Sequence, residues 1–232
     1  MHIGIFENVE NKQKENTIEA LIASSSPRPD FFFMVILSIT MASIGILLDS
    51  LIVLLGSMLI APVLYPVLGI AMGVAVFDEK LLLRSAYTLC QSIVVALLFS
   101  VGIGILFNGS ITELDIITII HTTPSMIMSL LVAIIAGCAA SLSMIQPHMS
   151  ESFPGVAVSV SLVPPLALAG IAASDLHIAL VGDMILLFLI NIVGIISASA
   201  FLFLSMKFSV KKKFTEKSVE ADKEEVAEQM DI

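Results

Sequence analysis

Asp183 is the one carboxylate that lies clearly inside an apolar run of this 232-residue chain. An ionisable group in hydrocarbon is costly. It faces a cavity or bundle interior, or it reaches interfacial water from a position near its helix end. Asp183 fits either reading, because about five residues separate it from the end of its run. Asn191 follows two helical turns later on roughly the same face, and Gln91 holds a comparable depth in another run. Four prolines interrupt apolar runs that would otherwise continue: Pro62 and Pro66 in APVLYP, and Pro164 and Pro165 in VPPL. Proline removes an N–H and clashes with the preceding turn, so each break frees backbone groups that need partners away from lipid. Ser159 and Ser161 precede the second break and add hydroxyls there if they face the same cavity. These nine residues are the candidate set for binding a small solute or ion.

Other chemistries lack their residues. The chain contains no HExxH, no Gly-x-Ser-x-Gly, no P-loop and no Rossmann glycine pattern. Leu180-Val181-Gly182-Asp183 lacks the earlier glycine of an intramembrane aspartyl protease motif. His121 and His177 could bind a metal with Asp115 or Asp175, but they are scattered through polar connections, where histidines are usually solvated. Cys90 and Cys138 lie in apolar runs without ligand spacing, which suits packing better than a disulfide or metal site. The expectation is therefore no enzyme, no metal and no cofactor. Without a basic surface, no nucleic-acid partner is expected either.

The elements that must position the candidate set are membrane helices. Hydrophobic residues make up 57% of the chain and charged residues 13%, with a mean hydropathy of +1.03, so lipid is the solvent for its middle. The runs divide into six predicted spans: about 31–48, 51–77, 86–107, 124–145, 153–174 and 178–204. Residues 1–30 and 207–232 are charged ends, the first with a short helix between Asn8 and Ala23. All eleven Lys and Arg residues fall before span 1, between spans 2 and 3, or after span 6. Cationic loops stay in the cytoplasm, so both termini are expected inside the plasma membrane of a bacterium or archaeon. The net charge of −9 does not oppose this, because acidic residues contribute little to orientation.

Span 2 would make a straight helix of about 40 Å, against a hydrocarbon core of about 30 Å, so it must tilt or break. Breaks fall near the middles of spans 2 and 5, with restarts expected at Pro66 and Pro165. Three spans per half is an odd number, so the halves have opposite orientation, the parity of an inverted repeat. LIAPVLYPVLGIA and VSLVPPLALAGIA echo this faintly. The predicted fold is all-α: a polytopic membrane protein of six transmembrane helices in two inverted three-helix halves, with helices 2 and 5 broken. Gly69 and Gly73 offer a close-packing face for a homo-oligomer. AGCAAS in span 4 reads as a helix-packing surface or, alternatively, a pore wall.

GILLDSLIVLLGSMLIAPVLYPVLGIAMG, TPSMIMSLLVAIIAG, GVAVSVSLVPPLALAG and LLFLIN occur in that order. The chain in this respect resembles the prokaryotic hydrophobic membrane family catalogued as domain of unknown function 389, over about residues 31–206. The resemblance implies a prokaryotic membrane protein and no established activity. It maps the family's glycine, proline and asparagine positions onto Gly56, Pro62, Pro66, Pro164, Pro165 and Asn191. Ser159 and Ser161 depart from the small apolar residues expected there. The leading expectation is passage of a small solute or ion through a midplane site between broken helices 2 and 5. The alternative is a non-transporting membrane anchor or regulatory module acting through its cytoplasmic ends.

Overall fold

The computed structural model describes residues 11–107, 126–146 and 162–230, and all regular structure among them is helical. The α-helices are α1 (Asn11–Ser24), α2 (Pro29–Leu47), α3 (Leu51–Ile60), α4 (Leu64–Val76), α5 (Glu79–Leu106), α6 (Met126–Ile145), α7 (Val163–Ser174), α8 (Ile178–Ser205) and α9 (Lys212–Met230), with a 3-10 turn at Phe208–Lys211.

Local chemistry sets most of the boundaries. Arg28 takes an extended conformation ahead of α2, and Pro29 and Asp30 follow, where a missing N–H and a negative charge suit a first turn. Asp49 is left-handed at φ 50°, and Ser50 N donates to Gly45 O at 2.9 Å, which folds α3 back along α2. That hairpin requires Gly45, since a Cβ there would stand 2.9 Å from Leu54 N. α4 ends at left-handed Phe77, where Asp78 N donates to Gly73 O at 3.0 Å. The Asp78 carboxylate then caps α5 by accepting from Lys80 N and Leu81 N at 2.9 and 3.1 Å. α7 ends the same way, with Leu176 left-handed and His177 N donating to Ala172 O at 2.9 Å.

Those matching ends belong to a longer correspondence. α5 and α8 are both 28 residues, and a shift of 99 positions carries Glu79–Leu106 onto Ile178–Ser205. The same shift carries Leu64 onto Val163, the first residues of α4 and α7, and Pro66 onto Pro165. Buried positions also match: Leu81 with Leu180, Leu89 with Phe188, Ser92 with Asn191, Ala96 with Ile195, and Ser100 with Ser199. Packing follows this pattern, for α4 and α7 each contact both α5 and α8. α2 packs beside α5, and α6 beside α8.

Small residues allow these approaches. A Cβ on Gly170 of α7 would lie 2.4 Å from Ser100 Cβ of α5, and one on Gly137 of α6 would lie 2.8 Å from Ile195 O of α8. Hydroxyls stitch the same seams. Ser43 of α2 donates to Ser100 Oγ at 3.0 Å, and Ser100 donates to Ala167 O at 2.6 Å. Ser141 and Ser199 both donate to Gly137 O, at 2.9 and 3.1 Å. With little hydrophobic drive between helices in lipid, close packing and such bonds hold the bundle together.

Among the described residues, four helices are long and apolar enough to cross a membrane, namely α2, α5, α6 and α8, and the pair α3–α4, bent by 48°, makes up to five. α7 is a shorter apolar helix of 12 residues; the preceding part of predicted span 5 lies outside the described residues. Predicted span 3 begins earlier than expected, at Glu79, because Asp78 caps it and the apolar face extends to Leu81. α4 and α7 begin at Leu64 and Val163 rather than at Pro66 and Pro165. The first turn has no intrahelical N–H partners, so a proline at its third position loses no bond. Gly69 and Gly73 face inward: Gly69 lies against Ser85 and Gly73 against Leu82, so both serve packing within the chain.

α1, the 3-10 turn and α9 gather at one end of the bundle. α1 contacts α4, α6 and α9, and α9 contacts α5. Ion pairs join Lys80 to Glu220 at 2.6 Å, Lys211 to Glu15 at 2.8 Å and Arg28 to Asp222 at 2.9 Å. All three cationic segments therefore share one end. The charged tail is a docked amphipathic helix, with Thr215, Val219, Asp222 and Val226 buried along one stripe.

Candidate functional site

The backbone break lies between α3 and α4; α7 starts at Val163, and the residues that precede Leu162 lie outside the described set. Ala61 is extended at ψ 118°, Pro62 and Val63 form a turn, and Tyr65 N donates to Pro62 O at 3.1 Å before α4 continues. From Leu64, α4 runs to the cationic end, where Gly69 passes Ser25 at the end of α1. From Val163, α7 runs the opposite way, and its last residue, Ser174, touches Gly104 near the far end of α5. At 1.5 Å per residue, α4 is about 20 Å long and α7 about 18 Å, against about 42 Å for α5. Their N-termini therefore reach similar depth near the middle of the layer. Each N-terminus carries partial positive charge, while Pro66, Pro164 and Pro165 have no N–H and Tyr65 N is bonded to Pro62 O.

The residues at this depth are polar and buried. Asn191 is only 3% exposed at the middle of α8, and its counterpart Ser92 is buried on α5, donating to Leu89 O at 2.7 Å. Ser57 of α3 donates to Leu54 O at 2.6 Å, and Ser57 O accepts from Ser38 of α2 at 2.8 Å. Pro66 and Pro165 are buried, while Pro62 and Pro164 are half-buried. The arrangement offers helix N-termini, an amide and hydroxyls in one apolar surround.

Two candidates stand apart. Asp183 is exposed on α8, pointing away from the core, whereas Asn191 is buried. Eight residues advance a helix about 80° past two full turns, enough to separate an outer face from an inner one. Gln91 is half-buried beside an open cavity of about 520 Å³ on the flank of the bundle, lined with Phe32, Cys90, Val94 and Val95. Its Oε1 is buried without a hydrogen-bond partner. Ser159, Ser161, His121 and Asp115 lie outside the described residues. Among the described residues, no cluster of three His, Cys, Asp or Glu side chains could hold a metal.

Sequence reasoning missed the serines. Ser85, Ser92 and Ser100 recur every seven or eight residues, a helical stripe that was available to find. It also missed the ionic network at the cationic end. There the Lys80 hydrogen bond, followed by the Lys80 charge, holds the Glu220 carboxyl below its ordinary range. Burial, followed by the charges of Lys211 and Lys207, lowers the Lys14 ammonium.

The family described as Domain of unknown function (DUF389) matches residues 58–197, more than half of the chain and all four candidate prolines. The chain belongs to the DUF389 family. It is also similar to the uncharacterized protein MJ0678 of the archaeon Methanocaldococcus jannaschii, with 32% identity over 163 residues. That alignment covers 70% of this chain and 49% of the archaeal protein, so this DUF389 chain matches about half of its relative's length. No solved structure matches it.

Proposed function

We propose that this DUF389 protein is a transporter or channel that passes a small solute or ion through a midplane site between predicted spans 2 and 5, that is, between α3–α4 and the span that includes α7. The observation that carries the reading is the pair of half-helices, α4 and α7, which start at similar depth and run to opposite ends of the bundle. Helices that start inside the layer put dipole ends where a solute exchanges its hydration shell for protein groups. Paired N-termini favour an anionic group on that solute. The matched packing of α4 and α7 on α5 and α8 supports six spans in two inverted three-span halves. The cationic end supports cytoplasmic termini in a prokaryotic plasma membrane. Six short spans enclose little volume, so the working form is a homo-oligomer, through surfaces other than Gly69 and Gly73.

The test is flux of candidate small anions and cations into liposomes holding the purified protein, with Asn191→Leu as the site variant. Transport by the unmodified protein and its loss in Asn191→Leu, at matched folding and abundance, is the expected result. A cysteine at Leu64, with Cys90 and Cys138 replaced, should react with small polar thiol reagents. No flux for any solute, together with full protection at Leu64, would refute transport. That outcome would favour a membrane module acting through its cytoplasmic ends, a reading to which the docked α9 lends support.

A further inference from the structure

Asp222 is a carboxylate on the buried stripe of α9, and it is 8% exposed. Its Oδ1 accepts from Arg28 Nη2 at 2.9 Å, and its Oδ2 accepts from Ser26 Oγ at 2.5 Å and pairs with Arg84 Nη2. Arg84 Nη2 also donates to Ser26 Oγ at 3.2 Å, which ties the cradle together from within. Ser26, Arg28 and Arg84 belong to the α1–α2 connection and to α5; the carboxylate arrives from α9 on a tether, and Val219 O of the same helix accepts from Arg84 Nη1 at 3.2 Å. Glu225 reaches Arg28 Nη2 at 3.3 Å but is 57% exposed at its side chain, so it is a rim contact. The cradle has more donors than its occupant uses: Arg28 Nε is buried without a partner. A planar carboxylate has two oxygens, whereas a phosphate group presents three or more and matches guanidinium forks.

We propose that Ser26, Arg28 and Arg84 form a phosphate-binding site at the cationic end, filled in this structure by the chain's own Asp222. The tethered carboxylate competes at an effective concentration in the millimolar range, so it keeps α9 docked until a phosphate displaces it. Arg84 lies in the second turn of a membrane-spanning helix, at a depth open to both a lipid headgroup and a soluble phosphate. The proposal does not depend on whether the chain transports.

The experiment uses the full chain in lipid nanodiscs, comparing the unmodified protein, Asp222→Ala, and Asp222→Ala combined with Arg28→Gln and Arg84→Gln. One arm titrates inorganic phosphate in phosphatidylcholine discs at constant ionic strength. The other replaces part of the phosphatidylcholine by phosphatidic acid. Spin labels at Lys217 and Phe77 report whether α9 is docked. Asp222→Ala should bind phosphate about tenfold more tightly than the unmodified protein in one arm, and the arginine replacements should abolish that gain. A gain in the first arm identifies a soluble phosphate, and a gain confined to the second identifies a headgroup. Equal binding by Asp222→Ala and unmodified protein in both arms would overturn the proposal, as would a gain that survives loss of both arginines. If Asp222→Ala does not fold, the unmodified protein decides: saturating phosphate or phosphatidic acid lengthens the label distance, or the proposal fails.

Discussion

Replacing Gly137 by alanine separates packing from helix propensity when Gly182→Ala serves as its partner. Both glycines are helical, so both substitutions gain about 1 kcal/mol of propensity. Only Gly137 is crowded. Its added Cβ would meet Ile195 O at 2.8 Å, Ile195 Cα at 2.9 Å and Ala198 Cβ at 3.2 Å, whereas Gly182 has nothing within 4 Å. The first two neighbours are backbone atoms and cannot rotate aside, so α6 must move from α8 by several tenths of an ångström. That shift also lengthens the Ser199 Oγ to Gly137 O bond, already 3.1 Å. Overpacking of this kind costs about 1–3 kcal/mol. Gly137→Ala should therefore be less stable than Gly182→Ala by about 1–3 kcal/mol, the propensity gain cancelling. The assay is reversible unfolding in mixed micelles by sodium dodecyl sulfate, followed by circular dichroism. Equal stabilities, or a more stable Gly137→Ala, would refute the close α6–α8 approach.

Ser100→Ala removes the hydroxyl that joins α2, α5 and α7, and should cost about 1–2 kcal/mol in the same assay, since one bond is lost and Ser43 loses its acceptor. Reporters fused after Phe77 and Phe208 should read cytoplasmic and those after Leu48 and Ser174 external; an external reading after Phe77 would make α3–α4 re-entrant. Asp183→Asn should leave flux and its pH dependence unchanged, because the side chain points away from the midplane; lost flux at normal abundance would place Asp183 in the path. Lys80 depresses the Glu220 carboxyl, so this pair supports α9 docking above the ordinary carboxylate range and ceases to do so as pH falls through the depressed value. Spin-label distances for Glu220→Gln should lack that acid step, and an identical profile would dismiss the pair as a contributor.

Membrane residence, helical class and the clustering of cationic segments were legible in the sequence because each follows from one-dimensional quantities. Run length must match hydrocarbon thickness, and backbone groups in lipid must be bonded within their own helix. Pro62 marked the break between α3 and α4 for the same local reason, and Pro164 and Pro165 fall in the first turn of α7. The sequence also pointed to α1, though not to what it packs against. Side-chain direction was less legible. Asp183 and Asn191 were assigned to one face, yet the accumulated helical rotation and the contacts of α8 with α4, α6 and α7 bury one and expose the other. Gly69 and Gly73 were read as a close-packing face for a homo-oligomer, whereas α5 of the same chain occupies that face. The correspondence of α4–α5 with α7–α8 was faint in residue identity, because Leu, Ala, Phe and Ile are interchangeable where only volume is specified. It became clear in helix ends and buried positions, which depend on geometry. Asp222 shows the limit most plainly: in a charged tail it looks solvated, and only the docking of α9 brings it against two arginines more than 130 residues earlier in the chain.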